Sequence, residues 1–89
     1  MKNPTKKLKT LLRLERGIMT CYEGVDIWFL PRTKTFHRDQ GPAVIHLNGT
    51  LEYYCMGKRH RLDGPAFIIP SSGVERYWIN GYPVEKSDF

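Results

Sequence analysis

Cysteine is scarce in this sequence of 89 residues: Cys21 and Cys55 are the only two. They show neither the C-x-x-C spacing of a redox or zinc motif nor the density of a secreted disulfide scaffold, so reduced thiols in an intracellular, cytoplasmic protein are expected. Long apolar runs are missing too. Arg13 and Glu15 break the stretch around Leu11, Leu12 and Leu14, which excludes a transmembrane span there and argues against a signal peptide. No P-loop, nucleophile elbow, H-E-x-x-H or paired catalytic carboxylate motif occurs. The expectation is a protein that is not an enzyme, with no catalytic residue, no cofactor and no metal. At this length there is room for one domain, and so small a domain is marginally stable unless it is stapled or covered by a partner, which raises the expectation of a homodimer.

A charge excess in the body of the chain is also lacking. The net charge is +5, but residues 1–16 hold Lys2, Lys6, Lys7, Lys9, Arg13 and Arg16 against Glu15 alone, while residues 17–89 hold eight basic and eight acidic side chains. The excess lies wholly in the N-terminal segment, which weakens any reading of the body as an electrostatic nucleic-acid surface.

What the sequence does have is an internal repeat. His37-Arg38-Asp39-Gln40-Gly41-Pro42-Ala43 recurs 23 residues later as His60-Arg61-Leu62-Asp63-Gly64-Pro65-Ala66. Each copy continues into an apolar stretch, then Gly49 or Gly73, then Tyr53-Tyr54 or Tyr77-Trp78, then Gly57 or Gly81; the second copy has one extra residue in its Ser71-Ser72-Gly73 turn. A fainter copy runs from Gly17 through Gly24 to Trp28-Phe29 and diverges at Pro31-Arg32. Each unit reads as a β-hairpin. Asn48-Gly49, between strands 43–47 and 51–56, predicts a tight type I′ turn because both residues tolerate positive φ, and Asn80-Gly81 predicts another. Pro42 and Pro65 fall at the first strand position, where a missing N–H costs little.

The N-terminus differs in kind. Thr5 can cap a short helix that places Leu8, Leu11 and Leu12 on one face and Lys6, Lys7, Lys9 and Arg13 around the rest, with Gly17 as a stop. The expected organisation is a basic amphipathic helix or arm over 1–16, one repeat-built β domain over 17–84 and a tail over 85–89. The expected fold class is mainly β: an antiparallel hairpin meander of two to three units with one short N-terminal helix packed on the sheet.

The segment Tyr54 to His60, Tyr-x-x-Gly-Lys-Arg-His, with its period near 23, resembles the MORN repeat, and the likeness covers about residues 24–84. The His-Arg-x-Asp-Gly-Pro-Ala variant is similar to repeats in small proteins of bacteriophages and large DNA viruses. Two departures stand out: Arg61 follows the histidine where MORN repeats have glycine, and Tyr82-Pro83-Val84 replaces Lys-Arg-His. The resemblance implies hairpins stacked into an elongated sheet and a binding role, since MORN proteins are mostly scaffolds and some are linked to phospholipids. The viral likeness implies a small protein that disables a host or bacterial defence protein.

Strand alternation sorts the aromatics onto two faces. Trp28, Tyr53 and Tyr77 point one way with Leu30, Cys55 and Ile79, and read as core beneath the helix. Phe29, Tyr54 and Trp78 point the other way, preceded two residues earlier by Ile27, Glu52 and Arg76, and read as a half-exposed ladder framed by charge. That ladder is either cross-strand packing in a thin sheet or a contact surface for a protein or a single-stranded nucleic acid. Lys58, Arg59 and Arg61 with Arg38 make a basic cluster, either a solvated sheet edge or a patch for acidic groups. His37 and His60 lack a third and fourth ligand at a convincing spacing, so they read as residues closing turns onto a neighbouring strand more than as a zinc site or a hydrolytic pair. Asp39 and Asp63 read as acceptors of backbone N–H bonds in those turns. The function expected is protein binding through Phe29, Tyr54, Trp78, Arg38, Lys58, Arg59, Arg61 and Arg76. The alternative is RNA or DNA binding through Lys6, Lys7, Lys9 and Arg13 with the basic edge.

Overall fold

A computed structural model describes residues 17–88. The expected helix over 1–16, its residues Lys6, Lys7, Lys9 and Arg13, and the last residue of the tail lie outside the described residues. Within them the chain is mainly β and antiparallel, and no helix there is long and apolar enough to cross a membrane.

The strands are β1 (Ile18–Tyr22), β2 (Val25–Leu30), β3 (Thr35–Phe36), β4 (Val44–Ile45), β5 (Leu51–Glu52), β6 (Tyr54–Cys55), β7 (Lys58–Arg59), β8 (Phe67–Ile69), β9 (Val74–Ile79) and β10 (Tyr82–Val84), followed by a 3-10 turn over Lys86–Asp88. They form two tiers. The lower tier runs β1-β2-β4-β5-β8-β9. In the upper tier β3 pairs with β2, β6 with β7 and β10 with β9. Single backbone bonds join these pairs: Arg38 N–H to the Tyr54 carbonyl, Gly57 N–H to Phe36, Arg61 N–H to Trp78 and Gly81 N–H to Arg59. The straight meander expected from the repeat is thus a meander whose strands change neighbour halfway along.

The change of neighbour happens at the repeated motif. Trp28 donates its N–H to the Ala43 carbonyl and accepts from the His37 N–H, while Tyr53 donates to Ala66 and accepts from His60. Each long strand therefore bonds the last residue of one motif below and the first residue above, and the motif between them bulges out as a loop. Most of its residues have a local task. The Arg38 guanidinium donates to the Pro42 carbonyl (3.1 Å) and lies 3.8 Å over the Trp28 ring; Arg61 donates to the Pro65 carbonyl (3.1 Å) and lies 4.1 Å over Tyr53. A Cβ on Gly41 or Gly64 would sit 2.9 or 2.8 Å from that guanidinium carbon, so a side chain there would have to push the arginine out of its place in the loop. Ala43 and Ala66 are fully buried. Nδ1 of His37 accepts the Met56 N–H (2.8 Å), and Nδ1 of His60 accepts the Asn80 N–H (2.9 Å). Since Nδ1 of His37 accepts, its Nε2 carries the proton and donates to Asp39 Oδ1 at 3.0 Å. Asp63 accepts from Arg61 Nε at 3.0 Å. Each aspartate thus holds a side chain of its own loop.

Turn chemistry corrects one expectation and adds another. Asn80-Gly81 has φ of 50° and 84°, the type I′ signature, and so do Met56-Gly57 (51° and 83°) and Glu23-Gly24 (49° and 81°). Around Asn48-Gly49 only Gly49 has positive φ. The His46 N–H donates to the Thr50 carbonyl and the Gly49 N–H to His46, so the loop is a three-residue type I turn with a glycine bulge. Asn48 spends its side chain on the Thr50 N–H instead, at 3.0 Å.

Register fixes the two faces. Thr20, Ile27, Val44, Glu52, Phe67 and Arg76 form one cross-strand row; two residues farther along, Phe29, Tyr54 and Trp78 fall on the same face, here the front. Trp28, Tyr53 and Tyr77 fall on the back. The sheet is a single layer, 17 Å in its smallest dimension, and among the described residues no large side chain is fully buried. Both faces are mostly half-buried, so the expected contrast between a core face and an exposed face does not appear: Val44 is buried on the front and Leu30 on the back.

Two outcomes follow for stability. Replacing His37 with Ala strands the Met56 N–H beside a side chain that is itself only 4% exposed, at a cost of about 2–3 kcal/mol; His60→Ala, whose Asn80 bond is solvent-exposed, costs about 1 kcal/mol. Met56→Asn, which puts a left-handed-tolerant residue into a turn that requires positive φ, raises stability by about 0.5–1 kcal/mol, and Asn80→Met lowers it by as much. Urea denaturation of the four variants reads both orders directly.

Candidate functional site

The upper half of the front face carries a continuous cluster. Phe29 pairs across the strands with Phe36, and the Phe36 and Tyr54 rings pack with centroids 5.1 Å apart at 56°. Tyr54 stands opposite Arg59. The Arg59 guanidinium carbon lies 5.5 Å from the Tyr54 ring centre, 4.8 Å from Phe67 and 5.2 Å from Trp78. Beneath it, Glu52 accepts from Arg59 Nη2 at 2.6 Å, from the Tyr54 hydroxyl at 2.9 Å and from His46 Nε2 at 2.5 Å. Arg59 Nη2 also reaches the Tyr54 hydroxyl at 3.1 Å. An arginine set among three rings and paired with one carboxylate, with 25% of its side chain still exposed, is a residue combination that anchors protein interfaces.

Arg59 Nε and the Trp78 indole N–H are buried without a hydrogen-bond acceptor. Both belong to the aromatic cluster around Arg59. Leaving buried donors unpaired is costly.

Electrostatics follow from this packing. Burial would push the Glu52 carboxyl up, but hydrogen bonds from His46, Tyr54 and Arg59, with the Arg59 charge, outweigh it and hold the carboxyl below its ordinary value. Burial, and then the hydrogen bond to Glu52, push the Tyr54 phenol up.

Of the residues expected to form a contact surface, Phe29, Tyr54, Trp78 and Arg59 come together here. Arg76 is exposed on the same face, in the Glu52 row, and Lys58 is exposed beside Arg59. Arg38 and Arg61 stand apart: they cap the motif loops over Trp28 and Tyr53 on the back, so the basic cluster of the sequence is divided between two faces. Phe36, Phe67 and His46 complete the front cluster and were not singled out in the sequence. Phe36 sits in the divergent loop of the faint first copy, and Phe67 on a strand whose neighbours are decided by register. The i, i+2 spacing of Glu52 and Tyr54 was the available signal for the network.

A second concave region lies between the two motif loops, a groove of about 560 Å³ bordered by Arg38, Asp39, Tyr53, Cys55, His60 and Arg61 among others. Burial and the Asp39 charge both push the Cys55 thiol up, and a thiol kept protonated is a poor nucleophile and metal ligand. Among the described residues no group of three or more His, Cys, Asp and Glu side chains gathers as a metal site would require.

Because the Glu52 carboxyl is held below its unfolded value of about 4.3, its contribution to stability is complete above that pH and is lost as pH falls through the folded-state value. Glu52→Gln is expected to lower stability at neutral pH by about 1–3 kcal/mol and to flatten the acid limb of a stability-versus-pH curve. An unchanged acid limb would show that the carboxylate is not what holds Arg59.

No family model, curated protein or solved structure matches the chain.

Proposed function

We propose that the chain is a non-enzymatic protein-binding module that contacts its partner through the front face, with Phe29, Phe36, Tyr54, Arg59, Trp78 and Arg76 as the contact residues. The observation that carries this reading is the stacking of Arg59 among Tyr54, Phe67 and Trp78 over Glu52. It makes an aromatic anchor centred on an arginine, on a sheet one layer thick, where no second layer among the described residues covers it.

The arginines weigh protein binding against phosphate binding. Arg59 is neutralised by Glu52, Arg61 by Asp63, and Arg38 is turned onto a carbonyl of its own loop. Residues 17–88 hold eight basic and eight acidic side chains. A surface that grips a nucleic-acid backbone needs unspent cations in a row, whereas a protein interface favours aromatic and arginine anchors with little net charge at the centre. The resemblance of the His-Arg-x-Asp-Gly-Pro-Ala units to small phage and large-virus proteins supports a host or bacterial defence protein as the partner and cytoplasmic action within the host. The alternative, RNA or DNA binding, rests on Lys6, Lys7, Lys9 and Arg13.

Affinity capture from bacterial lysate with the tagged full chain separates the two. The expected result is a retained protein that survives a high-salt wash, is kept when Lys6, Lys7, Lys9 and Arg13 are all replaced by Gln, and loses at least about tenfold in affinity with Phe36→Ala or Arg76→Glu, both at exposed positions. Retention of nucleic acid that salt strips and the four Gln replacements abolish overturns the proposal.

A further inference from the structure

Among the described residues the sheet has two open ends, and they are built differently. β10 ends the strand order on one side and β1 on the other. Trp78 gives its carbonyl to the Arg61 N–H, so its cross-strand partner Pro83 belongs to a pair that does not exchange hydrogen bonds and turns its backbone outward. A proline there offers no N–H to an incoming strand, which is one of the ways natural sheets block an edge.

β1 carries no such guard. Its sequence, Ile-Met-Thr-Cys-Tyr, has no charge, no proline and no glycine, and all five residues are exposed. Its outward backbone groups can be placed. The two-residue turn at Glu23-Gly24 makes Tyr22 and Val25 the hydrogen-bonded pair, so Thr20 and Ile27 also exchange bonds while Met19 and Cys21 face away. The bonds of Trp28 agree: the cross-strand partner of Met19 turns its N–H and carbonyl to Ala43 and His37, away from β1. Among the described residues no strand pairs with the outer side of β1.

We infer that β1 pairs antiparallel with β1 of a second copy of this chain, about a twofold axis at Thr20, to form one continuous sheet. The register is self-complementary. Met19 meets Cys21 of the other copy in two hydrogen-bonded pairs, Thr20 meets Thr20 in the close pair between them, and Ile18 meets Tyr22 at each end, apolar against aromatic. Thr20 lies in the front-face row. A twofold axis perpendicular to the sheet keeps both fronts on one side, so the two aromatic clusters become parts of one surface. The pairing rests on the edge alone and does not depend on what the front face binds.

Two measurements on the full chain test it. Sedimentation of the wild type is expected to give twice the 10.4 kDa chain mass, reduced to the single mass by Met19→Pro, which removes an outward N–H, and by Thr20→Lys. In a background with Cys21→Ser and Cys55→Ser, Thr20→Cys is expected to give a disulfide-linked dimer under oxidised glutathione, because Cα atoms in a close antiparallel pair stand about 4.5 Å apart, within disulfide range. Tyr82→Cys, exposed on β10, is expected to stay reduced. A wild type that sediments at the single mass, cross-linking only at position 82, or a position-20 thiol that neither cross-links nor reacts with an alkylating agent would each overturn the pairing. The last result would show the edge covered by the chain's own first sixteen residues.

Discussion

Every feature of this sheet depends on where its strands change neighbours, and that point is held by an imidazole. The buried His37 ring accepts the Met56 N–H at Nδ1 and donates from Nε2 to Asp39. One side chain therefore ties the start of a motif loop to the turn of the next hairpin, nineteen residues on. His60 does the same for the Asn80 turn. In a layer with no second sheet to pack against, register cannot be set by burying one face strongly, because a slipped strand would expose little more than the correct one. Directional bonds from side chain to backbone set it instead, and the turns at Met56-Gly57 and Asn80-Gly81 must adopt positive φ to present those N–H groups.

The front cluster is a second answer to the same shortage of core. Glu52, Arg59, Tyr54 and His46 satisfy one another over a small area, and the guanidinium fills the space between rings that an aliphatic side chain would fill in a two-layer protein. The exchange is not neutral. A partly buried ion pair adds specificity more surely than stability, and two N–H groups are left without acceptors. What is gained is a face held in shape with no second layer over it among the described residues.

Much of the strand pattern was legible in the sequence because it rests on short-range rules. The 23-residue period located equivalent side chains, and two-residue alternation put Phe29, Tyr54 and Trp78 on one face, as the register bears out. Asn80-Gly81 announced its own turn. Asn48-Gly49 announced the same one and made another, since there the Asn48 side chain takes up the Thr50 N–H and only the glycine needs positive φ. Met56-Gly57 formed the tight turn with no favourable residue at its first position, because the His37 acceptor holds that N–H in place. The two-tier arrangement and the use of Arg38 and Arg61 as loop caps were out of reach of pattern reading. Both depend on which strand lies beside which, a matter of long-range pairing that no local window contains.

The arginines show why counting charge misleads in so thin a protein. Three of them look alike in the sequence, clustered near the histidines, and each is spent differently. Arg38 closes a loop against a carbonyl and a tryptophan. Arg61 repeats that closure and adds an aspartate. Arg59 faces the other way and organises three rings around a glutamate. A guanidinium is planar, with five donors and two stacking faces, so it can replace packing where packing volume is short; lysine, a point charge on a flexible stem, could do none of these three tasks. Three of the eight basic side chains of residues 17–88 are thus spent on internal architecture. Of the three, only Arg59 draws the front-face rings together.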